Sequence, residues 1–234
     1  EAFTRLCWWV QERREGRPRD FFSLWLMGDR GAGKTWIAAK GMLLLTLEAP
    51  RLGIPKSIGW MASKSYELRD ELDRELRDAA PSQWYRYREE DLTYTFLTGG
   101  RITNVSGNDP ESLRNGRVDW VVFNEVQKLS HRAYLNGIKR LSDKGGFSIL
   151  TGNWPLGKSG SWVHDLNEKR KEALEAGRTY PVRLVELKKA GNRTLDAATE
   201  SLIDVIFRDL DPKMAAADLD GIAVPPGGDR AYWE

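Results

Sequence analysis

One octet leaves this chain few folds to choose from: Gly28-Asp29-Arg30-Gly31-Ala32-Gly33-Lys34-Thr35. It satisfies the G-x-x-x-x-G-K-[ST] phosphate-binding pattern without a mismatch. The apolar run over 22–27 reads as a strand leading into it, and residues 36–45 read as a helix leading out. The chemistry requires that order. Glycines let successive backbone N–H groups turn toward an anion, and the helix N-terminus adds partial positive charge. In such a loop the amides of residues 28–35 cradle phosphates, Lys34 reaches the β- and γ-phosphates, and the Thr35 hydroxyl ligates Mg²⁺. The octet therefore implies binding of a nucleoside triphosphate as its Mg²⁺ complex.

The rest of the chain supports a parallel α/β sheet. Helical spacing over 3–14 places Phe3, Leu6, Cys7 and Val10 on one face. Residues 57–62 form a short buried strand, and Leu68, Leu72 and Leu76 at four-residue spacing mark an amphipathic helix over 65–79. Strands over 92–97 and 101–105 join through Thr98-Gly99-Gly100 as a hairpin. Further buried strands fall at 118–123 and 146–151, a polar helix at 162–176 ends at Gly177, and a last strand spans 181–187. Alternating strands and helices predict a mostly parallel sheet flanked by helices. Residues 1–190 read as the core; 191–234, with a helix over 195–210 and a Pro/Gly-rich tail, read as a small lid subdomain and linker.

Bulk properties exclude other classes. A net charge of +2, from 36 basic and 34 acidic residues, carries no global polycation signal, so any nucleic-acid contact needs a local patch. Candidates are the basic and aromatic run Gln83-Trp84-Tyr85-Arg86-Tyr87-Arg88, read first as a solvated connection, and Lys139, Arg140 and Lys144. The single cysteine, Cys7, excludes an internal disulfide framework and suits a reducing compartment. No 18-residue apolar run is present, so no membrane partner is expected. The chain begins at Glu1 rather than Met, which is read as an excised domain of something longer.

A phosphate loop needs an acidic partner at the end of another buried strand. Trp120-Val121-Val122-Phe123-Asn124-Glu125 is the best candidate, with Glu125 91 residues after Lys34, a separation that suits a neighbouring strand. Glu125 is the expected general base that polarises the attacking water. Asn124 stands where such sites normally place an aspartate in the Mg²⁺ shell. Its carbonyl oxygen can accept but adds no negative charge, which predicts weaker Mg²⁺ binding or slower turnover. Arg30, inside the loop, is placed to meet charge developing on the γ-phosphate. Thr151, at the end of the 146–151 strand, is a candidate sensor of that phosphate.

In combination these pieces resemble the ATPase domain of phage large terminase subunits, the motors that package double-stranded DNA. The resemblance spans roughly residues 20–165. It rests on the arginine four before Lys34, on Ser112-Leu113-Arg114-Asn115-Gly116 upstream of Glu125, on residues 121–125, and on Thr151-Gly152-Asn153-Trp154-Pro155-Leu156-Gly157 followed by Trp162. It implies a RecA-like, additional-strand (ASCE) P-loop fold and a homo-oligomeric ring around DNA with sites at subunit interfaces. Arg30 would be the cis arginine and Arg114 the arginine offered in trans, ahead of Arg117 and Arg140; the other reading of Arg114 is a structural salt-bridge arginine. Thr151 would be the coupling residue, and Gln11 would read adenine, although its residue type favours an exposed helix glutamine. Partners would be double-stranded DNA, a portal protein and a small terminase subunit, in the host-cell cytoplasm and docked on the procapsid. The chain departs from the pattern at Asn124 and at Asn153-Trp154. Its acidic nuclease ligands would have to follow Glu234, so cleavage is not expected of it. Two other readings compete: a superfamily-2-type helicase or translocase fragment, which would need a second RecA-like domain, and an ATP-binding assembly module disabled by Asn124.

Overall fold

A computed structural model of the protein describes residues 2–16, 22–114, 116–142, 145–155 and 160–187. The expected lid and linker over 191–234, with their helix, lie outside the described residues, as do Lys144, Leu156 and Gly157. In chain order the elements are α1 (Ala2–Arg14), β1 (Ser23–Gly28), α2 (Lys34–Glu48), β2 (Ile58–Ser63), α3 (Tyr66–Ala79), β3 (Tyr85–Arg88), β4 (Thr93–Phe96), β5 (Arg101–Ser106), β6 (Trp120–Phe123), α4 (His131–Ser142), β7 (Phe147–Gly152), α5 (Ser161–Glu175) and β8 (Val182–Leu187).

The strands form one sheet in the order β3-β4-β5-β2-β6-β7-β1-β8. Its central six strands, β5 through β8, are parallel; β4 runs antiparallel to β5 and β3 to β4. This is the mostly parallel, helix-flanked sheet the sequence predicts. Alternate residues of each central strand serve opposite faces. Leu24, Leu26, Trp120 and Val122 pack with α1, α2 and α3; Trp25, Met27, Val121 and Phe123 pack with α4 and α5. Both faces are covered, which is why these strands read as continuous apolar runs rather than alternating ones.

Three details correct the sequence reading. On α1 the inward face is Leu6, Trp9 and Val10, whereas Cys7 is exposed. Trp9 meets Trp120 edge-on at 6.0 Å and Phe147 at 4.6 Å, and the Arg13 guanidinium lies over both indoles. Second, the basic and aromatic run is a strand: Tyr85 and Tyr87 rest on Tyr94 at 5.1 and 4.6 Å while Arg86 and Arg88 face out. Its alternation is the period of a half-buried edge strand, and Arg88 pairs with Asp91. Third, α4 was not predicted. Ser130 caps it, its hydroxyl accepting from the Ala133 N–H at 3.1 Å, and Ala133, Tyr134 and Leu141 are buried against the sheet. The predicted end of α5 is present as a Schellman turn: Gly177, at φ 68°, donates to Leu174 and Arg178 donates to Ala173. No described helix is long and apolar enough to cross a membrane.

Helix α3 bears on the site and is tied to the sheet. Asp73 accepts from the Tyr94 hydroxyl at 2.6 Å, from Arg77 at 2.8 Å and from Asn104 at 2.8 Å. Burial, then the Asp73 carboxylate, pushes the Tyr94 hydroxyl well above the ordinary tyrosine range, so it stays a donor at any physiological pH.

Candidate nucleotide site

Local geometry builds the phosphate loop from β1. Gly28 has φ 135°, and a Cβ there would come within 2.2 Å of the Leu187 carbonyl oxygen of β8. Only glycine lets the chain leave β1 so close to its neighbour. Gly31 and Gly33 follow at φ 78° and 79°, in the left-handed region, and α2 begins at Lys34. Lys34 is 6% exposed, and its ammonium donates to the carbonyl oxygens of Gly28 at 3.0 Å and Asp29 at 2.5 Å. A buried cation therefore sits inside a ring of backbone at a helix N-terminus, an anion-binding arrangement.

Over this loop opens a cavity of about 470 Å³. The loop from Arg30 to Thr35 and the Trp36 side of α2 form one wall. Leu68, Glu71 and Glu75 of α3 form another, and Glu125, Gln127, Lys128 and Asn153 close it. Its volume falls within the roughly 300–1,000 Å³ range of small-molecule sites.

The strand that delivers Glu125 is β6. It is not the neighbour of β1 that the sequence spacing suggested: β7 lies between them, paired to both. The ends of these strands are hydrogen-bonded to one another. The Thr151 hydroxyl donates to Asn124 Oδ1 at 2.7 Å and accepts from the Glu125 backbone N–H at 3.3 Å. Asn124 Nδ2 donates to the Leu68 carbonyl oxygen of α3 at 3.0 Å. Asn124 is fully buried and lies behind the cavity wall rather than on it. Glu125 has φ 52° and ψ 57°, a left-handed conformation that costs a non-glycine residue about 1–2 kcal/mol. That turn brings the Glu125 carboxylate to the cavity, where it accepts from Gln127 Nε2 at 2.6 Å.

The amide at Asn124 has work an aspartate cannot do. Asn124→Asp would replace the donor to Leu68 with a second acceptor, in a site closed to water. We expect that substitution to destabilise the fold by about 3 kcal/mol at neutral pH. Burial would raise the new carboxyl's pKa, so the folded state would hold its proton more tightly than the unfolded state. The deficit should then be small near pH 4 and grow as pH rises. Urea denaturation at pH 4.5 and pH 7.5 measures it; a variant as stable as the parent at both would refute the role given to the amide.

The remaining predicted residues divide. Arg30 is exposed on the cavity rim. Thr35 lines the cavity, and Thr151 is buried directly beneath it. Arg114 is exposed and away from the cavity, paired with Glu111 at 2.5 Å, which also takes Arg132 at 2.5 Å. These two arginines hold the Glu111 carboxyl below its ordinary range, Arg114 contributing most. Gln11 is the exposed helix glutamine that its residue type favours, not the adenine reader that the resemblance implies. It donates to Glu15 one turn along α1 and borders a separate hollow with Leu44, Glu48 and Arg51. Leu44 is ten residues beyond Lys34, about 15 Å along α2. Helical periodicity turns Gln11 outward there, so it is not on the phosphate-loop cavity. Gln127, Trp36, Glu71, Glu75 and Lys128 are wall residues that the sequence did not single out; only Trp36, adjacent to Thr35, had a local signal, and Asn153, noted only as a departure from the resemblance, also lines the wall.

The donor set fits a Mg²⁺ ion carried in by phosphates. No group of three or more His, Cys, Asp or Glu poised for a metal occurs among the described residues. Thr35 supplies a hard oxygen on the cavity wall, whereas Asn124, the other expected ligand, is sealed behind that wall with its Oδ1 accepting from Thr151; Mg²⁺ ordinarily takes one or two protein ligands plus phosphate and water.

No protein-family model and no curated protein sequence matches the chain. Its fold, however, is that of phage large terminase ATPase domains. The large terminase of a thermophilic bacteriophage superposes with a TM-score of 0.70 at 18% identity, over 94% of this chain and 53% of that one. A structure of the same terminase in complex with ATP-γ-S gives a TM-score of 0.66 at 18% identity, over 94% and 52%. The large terminase ATPase domain of Thermus phage P74-26 gives 0.62 at 14% identity, over 92% of this chain and 93% of that one. The chain thus spans about half the length of the first of these terminases and nearly all of the isolated P74-26 domain.

Proposed function

We propose that this chain is the ATPase domain of a phage large terminase, coupling ATP hydrolysis to translocation of double-stranded DNA into a procapsid. The backbone amides from Gly28 to Thr35 hold the triphosphate, and Lys34 turns from its own loop carbonyls toward the β- and γ-phosphate oxygens. Thr35 holds Mg²⁺, which supplies charge neutralisation along the phosphates. Glu125, aimed by Gln127, takes the proton of the attacking water. Arg30 meets the charge that develops on the γ-phosphate. Asn124 contributes no charge; it positions Thr151 and the first turn of α3.

One observation carries the reading. β7 separates the phosphate strand from the glutamate strand, and its terminal Thr151 is hydrogen-bonded to Asn124 and to the Glu125 amide. A movement of the Glu125 backbone on loss of the γ-phosphate would therefore be passed to β7 through Thr151. Arg114, exposed and distant from its own cavity, is the arginine offered to a neighbouring subunit in a ring. Heterologous contacts of that kind form a ring where the rotation between subunits closes. A portal protein and a small terminase subunit are the partners such a motor would dock.

Complementation tests this. Arg114→Ala keeps an intact nucleotide site but offers nothing to its neighbour, whereas Lys34→Ala offers Arg114 but binds nothing. Each alone should hydrolyse ATP at a few per cent of the parent rate. Mixed at concentrations where the parent's rate per subunit rises, they should recover well above the sum of the two. A parent rate independent of concentration, with no recovery on mixing, would overturn the trans assignment.

A further inference from the structure

Gln11 is remote from the phosphate loop, which leaves the nucleotide base without a recognised partner. The cavity wall carries one candidate. Trp36 directly follows Thr35 in the first turn of α2, and it is 47% exposed although most tryptophans of this chain's core are sealed. It is the one aromatic side chain among the described residues of that wall, where loop backbone and charged groups otherwise predominate. Helical side chains lean toward the N-terminus of their helix, so the indole leans toward the loop rather than away from it. One of its faces is taken: the Lys40 ammonium lies 3.9 Å from the ring centroid, one turn further along α2. That cation occupies one face of the ring and leaves the other for a planar heterocycle.

We infer that Trp36 is the base platform of this site: the purine of the bound nucleotide stacks on the indole face opposite Lys40. The inference rests on the loop binding a nucleotide, and it assigns a subsite that the phosphate contacts do not supply. Stacking is sequence-tolerant, because every base has a π-face. This subsite therefore separates nucleotides from bare polyphosphate more sharply than it separates one purine from another.

Titration calorimetry with two probes, ATP and inorganic triphosphate, each with Mg²⁺, tests it on the whole chain. Trp36→Ala should weaken ATP binding about tenfold, the scale of one base–aromatic stack, and leave triphosphate binding within twofold. Trp36→Phe, which keeps a ring, should retain ATP affinity to within about threefold. ATP affinity unchanged in Trp36→Ala would overturn the inference, and so would an equal loss for both probes, which marks damage to the loop. Lys34→Ala serves as the separate control: it should lose both probes, and if it kept both, the phosphate-loop assignment itself would fail, whatever Trp36 does.

Discussion

Replacing Lys34 with alanine should cut the affinity for Mg²⁺·ATP by at least about a hundredfold while leaving the fold standing. The two effects can be weighed separately. In the chain without nucleotide, the Lys34 ammonium donates to Gly28 and Asp29 carbonyl oxygens, so its removal costs about 1–2 kcal/mol of stability. With nucleotide, the same ammonium faces phosphate oxygens carrying formal charge. Charge-assisted bonds there are worth about 1.5–3 kcal/mol each, and two of them account for a hundredfold or more. Binding should therefore suffer far more than folding. Calorimetric titration and a thermal melt of the same sample give both numbers. Tight ATP binding by Lys34→Ala would remove the loop from the mechanism.

Glu125→Gln should do the reverse, binding ATP as well as the parent and turning over about 10²–10⁴-fold more slowly. The substitution is close to isosteric, and its amide oxygen can still accept from Gln127. It leaves the left-handed backbone at 125 as strained as before, so stability should move by less than about 0.5 kcal/mol. What changes is the capacity to take a proton from water. Single-turnover phosphate release, measured beside ATP binding, separates chemistry from affinity. Hydrolysis within threefold of the parent would mean that another group, or none, acts as base.

Much of this was legible in the sequence wherever a local rule had no competitor. The octet around Lys34 is such a case, because its glycines are needed for φ values that other residues avoid. The central strands were equally plain, since a strand covered on both faces reads as an unbroken apolar run. β3 was missed because a half-buried edge strand alternates, and Tyr85-Arg86-Tyr87-Arg88, followed at once by Glu89-Glu90-Asp91, read first as a solvated connection. α4 was missed although Ala133, Tyr134, Ile138 and Leu141 follow helical spacing, because Gly137, a residue that argues against helix locally, interrupts their stripe. At Gln11 the residue type was the better guide than the resemblance, because context along the chain says nothing about which end of α2 a helix packs on. The Asn124, Thr151 and Leu68 contacts were beyond reach, because they join three elements whose proximity only the finished sheet defines.

The position of β7 also sets a length. Neighbouring strands lie about 4.8 Å apart, so interposing one puts roughly 9–10 Å between the axis that ends in the phosphate loop and the axis that ends in Glu125. Were β1 and β6 adjacent, the carboxylate would stand at half that span, with no room for both a terminal phosphate and the water that must attack it. In the proposed reaction the intervening strand would serve as a spacer gauge, leaving width for one phosphoryl group and its nucleophile. Because sheets twist rather than stretch, the gauge holds its width as the sheet flexes, and a change in twist swings the carboxylate across the gap without closing it.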